Sequence, residues 1–197
     1  PDGKFTDSAA SGVWSLQEAF DYTKGDNWPN QANVNSRGLW FGGVSNSVNI
    51  DIINISSAGN ATDFGDLITG TYNSGAVGST TRGVISGTAV SPTNRIQYVT
   101  FATAGDSTDF GDSTVSDTRG GGGSSSIRGL FFGGGGGSGG ASDVVDYITI
   151  ASTGDATDFG NLTANRRADG AGFASPTRAI YAGGGGSGTT RYDTIDY

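Results

Sequence analysis

One short pattern occurs four times along the chain, and no other feature of the sequence restricts its fold as much. An Arg is followed by a small residue and then by apolar residues, first as Arg37-Gly38-Leu39-Trp40-Phe41 and again from Arg82, Arg128 and Arg178. The successive spacings are 45, 46 and 50 residues. A period of this size indicates a repeat protein in which each unit packs against its neighbours.

Each pattern leads into a Gly-rich segment and then into an alternating strand. These strands cover residues 50–55, 96–101 and 145–150, and a fourth begins at Ile195. Alternation with a period of two predicts one buried and one wetter face. Only 34% of the chain is hydrophobic and 36 residues are Gly, so we expect thin sheets stacked in series.

A tetrapeptide, Thr-Asp-Phe-Gly, follows each of the first three alternating strands. We interpret it as an Asp-rich turn whose Phe is buried between sheets, at Phe64, Phe110 and Phe159. More polar stretches, such as residues 162–167 and 170–174, would supply one or two outer strands before the next Arg. This leaves no room for a helix inside the unit.

The units also resemble the Kelch family of β-propellers. The residues that carry the resemblance are the Gly pairs that begin at Gly42, Gly133 and Gly183, and the later strand residues Tyr98, Tyr147 and Tyr197. The second unit has Ser86-Gly87 in place of the pair, and the later Trp of the family is absent. The resemblance implies an all-β fold of Kelch-like propeller blades, or propeller-like β-repeats, each of about 45 to 50 residues.

Two domains are predicted. Residues 1–36 form an N-terminal anchor or cap, and residues 37–197 form the β-repeat domain, with repeats 37–81, 82–127 and 128–177 and a partial repeat 178–197. Closing a propeller takes about four to eight blades, and this chain supplies about three and a half. Further repeats beyond Tyr197, completion by other protomers, and an open β-solenoid all remain open.

The N-terminal segment differs from the repeats. Ser15 and Glu18 have the spacing of a capping box, which predicts a short helix with Leu16 and Phe20 on one face. The aromatic residues Trp14, Phe20, Tyr22 and Trp28 would either cap the first repeat or dock into other subunits of an assembly. Residues 13–29 also resemble the attachment region of tail or fibre proteins of tailed phages, notably marine ones. That resemblance implies a virion appendage protein anchored by its N-terminus.

Composition argues against several classes of function. The chain contains no His and no Cys, which excludes Ser-His and Cys-His nucleophiles as well as thiolate and imidazole zinc sites. Its net charge is −8, and its nine Arg and two Lys are scattered, so we expect no nucleic-acid partner. No apolar run is long enough to insert into a membrane as a helix. We therefore predict a non-enzymatic protein with no catalytic residues, no cofactor and no metal site.

Two sets of repeated polar residues have alternative interpretations. In the first set, Asp and Asn recur at one spacing around each Thr-Asp-Phe-Gly. We expect them to hold tight turns, and the less favoured alternative is that they bind Ca²⁺. The residues are Asn60, Asp63 and Asp66 in the first unit, Asp106, Asp109 and Asp112 in the second, and Asp155, Asp158 and Asn161 in the third. The repeated Arg residues favour pairing with an Asp or a backbone carbonyl of the neighbouring unit over binding anionic sugars. The loops that vary most, residues 44–49, 88–95, 135–144 and 185–194, form the rim on which we expect a host-surface glycan to bind.

The favoured function is a phage structural protein of the virion, in a tail fibre or similar appendage, located on the virion or outside the cell and assembled as a homo-oligomer. A secreted bacterial adhesin or lectin is the alternative. A surface glycosidase with paired carboxylates is the third hypothesis.

Overall fold

The computed structural model describes residues 37–72, 74–87, 94–116, 120–135, 140–166, 170–186 and 188–197. The chain divides into two units, Pro1–Ser36 and Arg37–Tyr197, and every described residue belongs to the second. The predicted N-terminal helix and the aromatic residues Trp14, Phe20, Tyr22 and Trp28 lie outside the described residues.

Within the described residues the fold is all-β, as predicted, and its strands form four antiparallel sheets. Sheet I contains β1 (Arg37–Phe41), β2 (Asn49–Asn54) and β3 (Thr62–Asp66). Sheet II contains β4 (Gly75–Gly78), β5 (Arg82–Ser86), β6 (Arg95–Thr100) and β7 (Thr108–Asp112). Sheet III contains β8 (Gly121–Ser124), β9 (Arg128–Gly135), β10 (Ala141–Thr149) and β11 (Thr157–Arg166). Sheet IV contains β12 (Gly170–Ala174), β13 (Ala179–Gly183) and β14 (Ile195–Asp196).

In every sheet the strands lie side by side in chain order, so each sheet is an up-and-down meander. Sheets II and III have four strands, and their second strand begins at the repeated Arg. By the same alignment, β1 to β3 are the second to fourth strands of sheet I, and β12 to β14 are the first to third strands of sheet IV. In each sheet, one connection joins the second strand to the third. We call the end of the sheet that carries this connection the upper rim, and we call the opposite end the lower rim.

The sheets begin one strand earlier than the predicted repeats. Strand β4 lies within residues 37–81 but pairs with β5 of the following repeat, and β8 and β12 pair in the same way with β9 and β13. The stretch 170–174 is therefore the first strand of sheet IV. The only helical residues in the described ranges form a 3₁₀ turn, Val44–Asn46, at the upper rim of sheet I.

The interpretation of Thr-Asp-Phe-Gly as a turn is wrong, because the tetrapeptide starts the fourth strand of sheets I, II and III. In sheet I, Ile50 is opposite Gly65 and Asp51 is opposite Asp63, so Phe64 is an extra residue in a β-bulge. The same shift occurs at Phe110 and Phe159. A bulge inserts one extra residue and bends the strand without ending its pairing. A sequence pattern alone does not distinguish such a bulge from a turn.

Three apolar clusters lie between the four sheets. The first joins Ile50 and Phe64 of sheet I to Ile85 of sheet II. The second joins sheets II and III, and the third brings Phe132 of sheet III against Tyr181 of sheet IV. Because side chains alternate along a strand, β9 contributes Phe131 to the second cluster and Phe132 to the third. An inner sheet therefore buries both faces, as expected for thin sheets stacked in series.

The first strands of sheets II, III and IV approach one another through glycine. A Cβ on Gly122 of β8 would lie 2.3 Å from the carbonyl oxygen of Ala76 in β4. A Cβ on Gly172 of β12 would lie 2.6 Å from the carbonyl oxygen of Gly122. Only a residue without a side chain permits this backbone contact.

We expect the substitution Gly122→Ala to lower the free energy of unfolding by about 1 to 3 kcal/mol, because β4 and β8 must separate to admit a methyl group. The measurement is urea unfolding followed by intrinsic fluorescence. The matched control is Gly59→Ala on the lower rim of sheet I, where no atom lies within 4 Å of the added methyl group. Equal stability of the two variants would contradict the close approach.

Candidate functional site

A turn on the lower rim of one sheet binds the bulged strand of the sheet before it, and we call this contact the turn joint. Between sheets I and II, the Gly105 N–H donates to the carbonyl oxygen of Phe64 at 2.8 Å and the Ser107 N–H donates to that of Asp66 at 2.8 Å. The carboxylate of Asp106 accepts the N–H of Asp66 at 3.0 Å. The joint thus pairs backbone of two different sheets.

The turn joint between sheets II and III has the same bonds. The Gly154 N–H donates to Phe110 at 2.7 Å, the Ala156 N–H donates to Asp112 at 2.8 Å, and the Asp155 carboxylate accepts the Asp112 N–H at 3.0 Å. The same bonds occur at two places whose equivalent residues are 46 to 49 positions apart in the sequence, so these joints belong to the repeat rather than to one loop.

A second contact, the side-chain joint, lies on the upper part of the sheets. Gln97 in β6 is fully buried, and its amide both donates to the Thr69 carbonyl oxygen and accepts the Thr69 N–H, each at 3.1 Å. Asp146 in β10 accepts the N–H and hydroxyl of Thr114 at 3.0 and 2.6 Å. Asp196 in β14 accepts the same two groups of Thr163 at 3.2 and 2.5 Å.

The repeated Arg residues also connect the sheets. Arg37 donates to the carbonyl oxygen of Phe101 at 2.5 Å, and Arg82 donates to that of Ile150 at 3.0 Å, in each case in the following sheet. The predicted pairing with a carbonyl of the neighbouring unit is confirmed for both. Each later Arg also lies over a Tyr of its own sheet, with distances from Cζ to the ring centre of 4.7 Å for Arg82 and Tyr98, 4.5 Å for Arg128 and Tyr147, and 5.3 Å for Arg178 and Tyr197.

The Asp and Phe residues that recur around Thr-Asp-Phe-Gly differ in burial and in hydrogen bonding from one unit to the next. Asp106 and Asp155 hold the turn joints, whereas Asp63 and Asp158 are exposed in their strands. The described residues contain no group of three acidic, His or Cys side chains that could hold a metal ion. Phe64 and Phe110 are buried as predicted, at 5% and 3% exposure. The prediction is wrong for Phe159, which is 57% exposed.

One buried cation, on β11, was not predicted from the sequence. Arg166 is fully buried, and its guanidinium lies 3.0 Å from the carboxylate of Asp196 and stacks at 4.3 Å on the ring of Tyr192. It also donates to the Gly183 carbonyl oxygen and the Thr194 hydroxyl. Arg166 therefore ties the end of sheet III to the upper rim of sheet IV.

We expect Arg166→Ala to lower the free energy of unfolding by about 3 to 5 kcal/mol, because it leaves the carboxylate of Asp196, whose side chain is only 10% exposed, without its cation. The control is Asp109→Asn, which removes a surface pair with Arg95 at 3.7 Å and is expected to cost under about 1 kcal/mol. Urea unfolding at neutral pH measures both. A cost for Arg166→Ala no larger than the control would show that the buried pair is energetically unimportant.

The upper rim of sheet I carries an open cleft of about 640 Å³. Its apolar lining is Phe41, Val44 and Tyr72, and its hydroxyl groups are those of Ser45, Thr71 and Ser74. Val44 is 89% exposed and Tyr72 is 45% exposed. The cleft lies on the first of the four variable loops predicted as the recognition rim, residues 44–49.

The loop beside the cleft has an unusual backbone. Ser45 and Asn46 both have left-handed conformations, with φ of 59° and 60°. For a residue such as Ser this region costs about 1 to 3 kcal/mol, whereas Asn adopts it more readily, and such outliers concentrate at ligand sites. The hydroxyl of Thr71 is already bonded to the Gly87 carbonyl oxygen at 3.2 Å, so Ser45 and the Tyr72 ring are the lining groups best placed to contact a ligand.

The buried polar residues were not predicted, because the alternation of the strands was interpreted as one buried and one solvent-exposed face. Gln97 and Asp146 occupy the polar positions of their strands and are fully buried. A signal did exist, since a polar residue stands at the same place in all four units, at Asp51, Gln97, Asp146 and Asp196. The variable loops 88–95, 135–144 and 185–194 each lie partly outside the described residues.

Comparison with protein-family models and with curated proteins finds no match for this chain. In the part of the chain that the structure describes, no helix has the length and apolar character needed to cross a bilayer.

Proposed function

We propose that this chain is a non-enzymatic structural protein of a phage virion, a component of a tail fibre or similar appendage. It displays Kelch-like β-propeller blades for assembly or host-surface attachment, and its location is the virion or the extracellular medium. The observation that carries the proposal is the turn joint, because the same bonds connect successive sheets and so build a rigid scaffold of repeats.

The arrangement of the sheets supports the propeller. Consecutive meanders pack face to face, and β8, the first strand of sheet III, contacts the first strands of both neighbouring sheets, β4 and β12. In a propeller the first strands of successive blades line the central axis. We propose that the chain assembles as a homo-oligomer, in which blades of several copies pack together in this way.

The use of polar side chains supports a structural role over catalysis. The buried polar residues Gln97, Asp146 and Arg166 all bond to a neighbouring sheet. Carboxylates committed to backbone N–H and hydroxyl donors are poorly suited to exchange protons with a substrate. The interior chemistry of the chain therefore serves to connect its sheets.

Assembly is assigned to the N-terminal segment. Trp14, Phe20, Tyr22 and Trp28 would anchor the chain to other virion subunits, as the resemblance of residues 13–29 to phage attachment regions implies. Large aromatic side chains supply most of the binding energy in many interfaces. The repeats would then extend away from the virion.

Attachment is assigned to the cleft at Phe41, Val44 and Tyr72. Its lining, as far as the structure describes it, has no charged side chain and combines an exposed aromatic ring with a hydroxyl group, which suits an uncharged glycan on a host surface. The same cleft favours the alternative function, a secreted bacterial adhesin or lectin. The two functions differ in whether the chain belongs to a particle.

The location of the chain tests the first function. Gold-labelled antibodies raised against residues 37–197 are expected to mark the tail region of intact phage particles, and the chain is expected among the proteins identified by mass spectrometry of those particles. Antibodies adsorbed with the purified chain serve as the control. Detection only in the medium of bacterial cultures, with particles that lack the chain, would favour the adhesin.

A glycan array tests the cleft. We expect the purified protein to bind an uncharged glycan and Tyr72→Ala to weaken that binding about tenfold or more, because the variant removes the exposed ring. The matched control is Ile127→Ala on the lower rim, which removes a side chain that is 67% exposed. Unchanged binding by Tyr72→Ala, or equal loss in both variants, would contradict the assignment.

A further inference from the structure

Thr71 borders the cleft of sheet I and connects three parts of the structure, although its side chain is only 1% exposed. Its carbonyl oxygen accepts the Gly43 N–H at 3.0 Å, and its own N–H donates to the Ser47 carbonyl oxygen at 3.1 Å. Its hydroxyl donates to the carbonyl oxygen of Gly87, in sheet II, at 3.2 Å. One buried residue therefore ties the loop beside the cleft to the neighbouring sheet.

The backbone before Thr71 packs closely on that loop. A Cβ on Gly42 would lie 2.4 Å from the Thr71 carbonyl oxygen, and a Cβ on Gly70 would lie 1.9 Å from the carbonyl oxygen of Asn46. The left-handed residues Ser45 and Asn46 stand between these contacts in the loop. Such backbone persists only where the surrounding structure holds it in place. Thr71 and its neighbours supply that restraint.

Arg166 makes the equivalent contact between sheets III and IV. It stands five residues after the end of the pentapeptide that begins with Thr-Asp-Phe-Gly, as Thr71 does. Its guanidinium donates to the carbonyl oxygen of Gly183, and Gly183 and Gly87 each stand five residues after the repeated Arg. Arg166 also stacks on Tyr192 of the fourth variable loop. The same position of the repeat thus restrains an upper-rim loop at two places.

We propose that Thr71 is a positioning residue of the cleft. Through its bond to Gly87 it fixes residues 43–47 against sheet II, so that the side chains of Val44 and Ser45 hold their places before a ligand arrives. A site that is already ordered loses less conformational entropy when it binds. Thr71 acts through the loop rather than by touching the ligand, and its effect on affinity rests on the proposed attachment function.

Three variants of the whole 197-residue protein test this role. Thr71→Val has a similar shape but removes the hydroxyl that binds Gly87, and Thr71→Ser retains a hydroxyl at the same place. The matched control is Ser113→Ala, outside the cleft lining. It removes a hydroxyl that is 3% exposed and donates to the carbonyl oxygen of Asn94 at 3.0 Å.

Hydrogen exchange, followed residue by residue by NMR, measures the loop without any ligand. We expect Thr71→Val to accelerate exchange of the amides of Gly43 and residue 71 about tenfold, because the loop loses its anchor on sheet II. Thr71→Ser and Ser113→Ala are expected to leave both rates within about twofold of the unsubstituted protein. Rescue by Thr71→Ser separates loss of the hydroxyl from a general loss of packing.

Binding is measured on a printed array of uncharged glucans, galactans and mannans. We expect Thr71→Val to lower the affinity for each glycan that the unsubstituted protein binds about tenfold. The affinities of Thr71→Ser and Ser113→Ala are expected to stay within about twofold. If no protein binds any glycan, the attachment function is wrong, and the exchange rates alone then decide whether Thr71 positions the loop.

Four results would overturn the positioning role. The first is an absence of protection at the amides of Gly43 and Thr71 in the unsubstituted protein, a measurement that needs no variant to fold. The second is unchanged exchange of these amides in Thr71→Val. The third is equal acceleration in Ser113→Ala or in Thr71→Ser. The fourth is unchanged glycan affinity in Thr71→Val despite faster exchange of the loop.

Discussion

The contact between the Gly-Asp turn of one sheet and the bulged strand of the sheet before it is the constraint on which this structure depends. Each sheet is narrow and contains few large apolar residues, so packing energy alone gives little preference for one alignment of neighbouring sheets. The turn joint supplies that preference, because hydrogen bonds are directional and the bulge leaves the carbonyl oxygens of Phe64 and Asp66 aimed at the next sheet. Glycine at both partners lets the two backbones meet.

Much of the architecture followed from the sequence because the repeat is regular. The second and third strands of each unit were predicted from the Arg pattern and the alternation after it, and the pairing of Arg37 and Arg82 with carbonyl groups followed from their equivalent placement. The first strands were harder to recognise. Strand β8 is Gly121-Gly122-Gly123-Ser124, and a run of glycine has neither apolar periodicity nor β-propensity until a neighbouring backbone is placed beside it.

Other features depend on contacts that a single sequence does not encode locally. Phe64 and Phe159 stand in the same tetrapeptide, yet one is buried and the other exposed, because burial is decided by the turn of the following sheet. Gln97 and Asp146 look like solvent-facing residues of an amphipathic strand, but an inner sheet has no solvent face. The cleft of sheet I depends on the fold of two separate loops, and the left-handed backbone at Ser45 cannot be predicted from the sequence of either loop.

The turn joint has one more consequence, for how such a chain changes its length over evolutionary time. Each repeat carries both halves of the contact. Its turn binds the bulged strand of the sheet before it, and its own bulged strand binds the turn of the sheet after it. Tandem duplication or unequal recombination of one whole repeat would therefore bring a complete, already compatible interface with it. Lineages can vary the number of sheets in single steps, while the loops at the upper rim diversify independently of the scaffold that presents them.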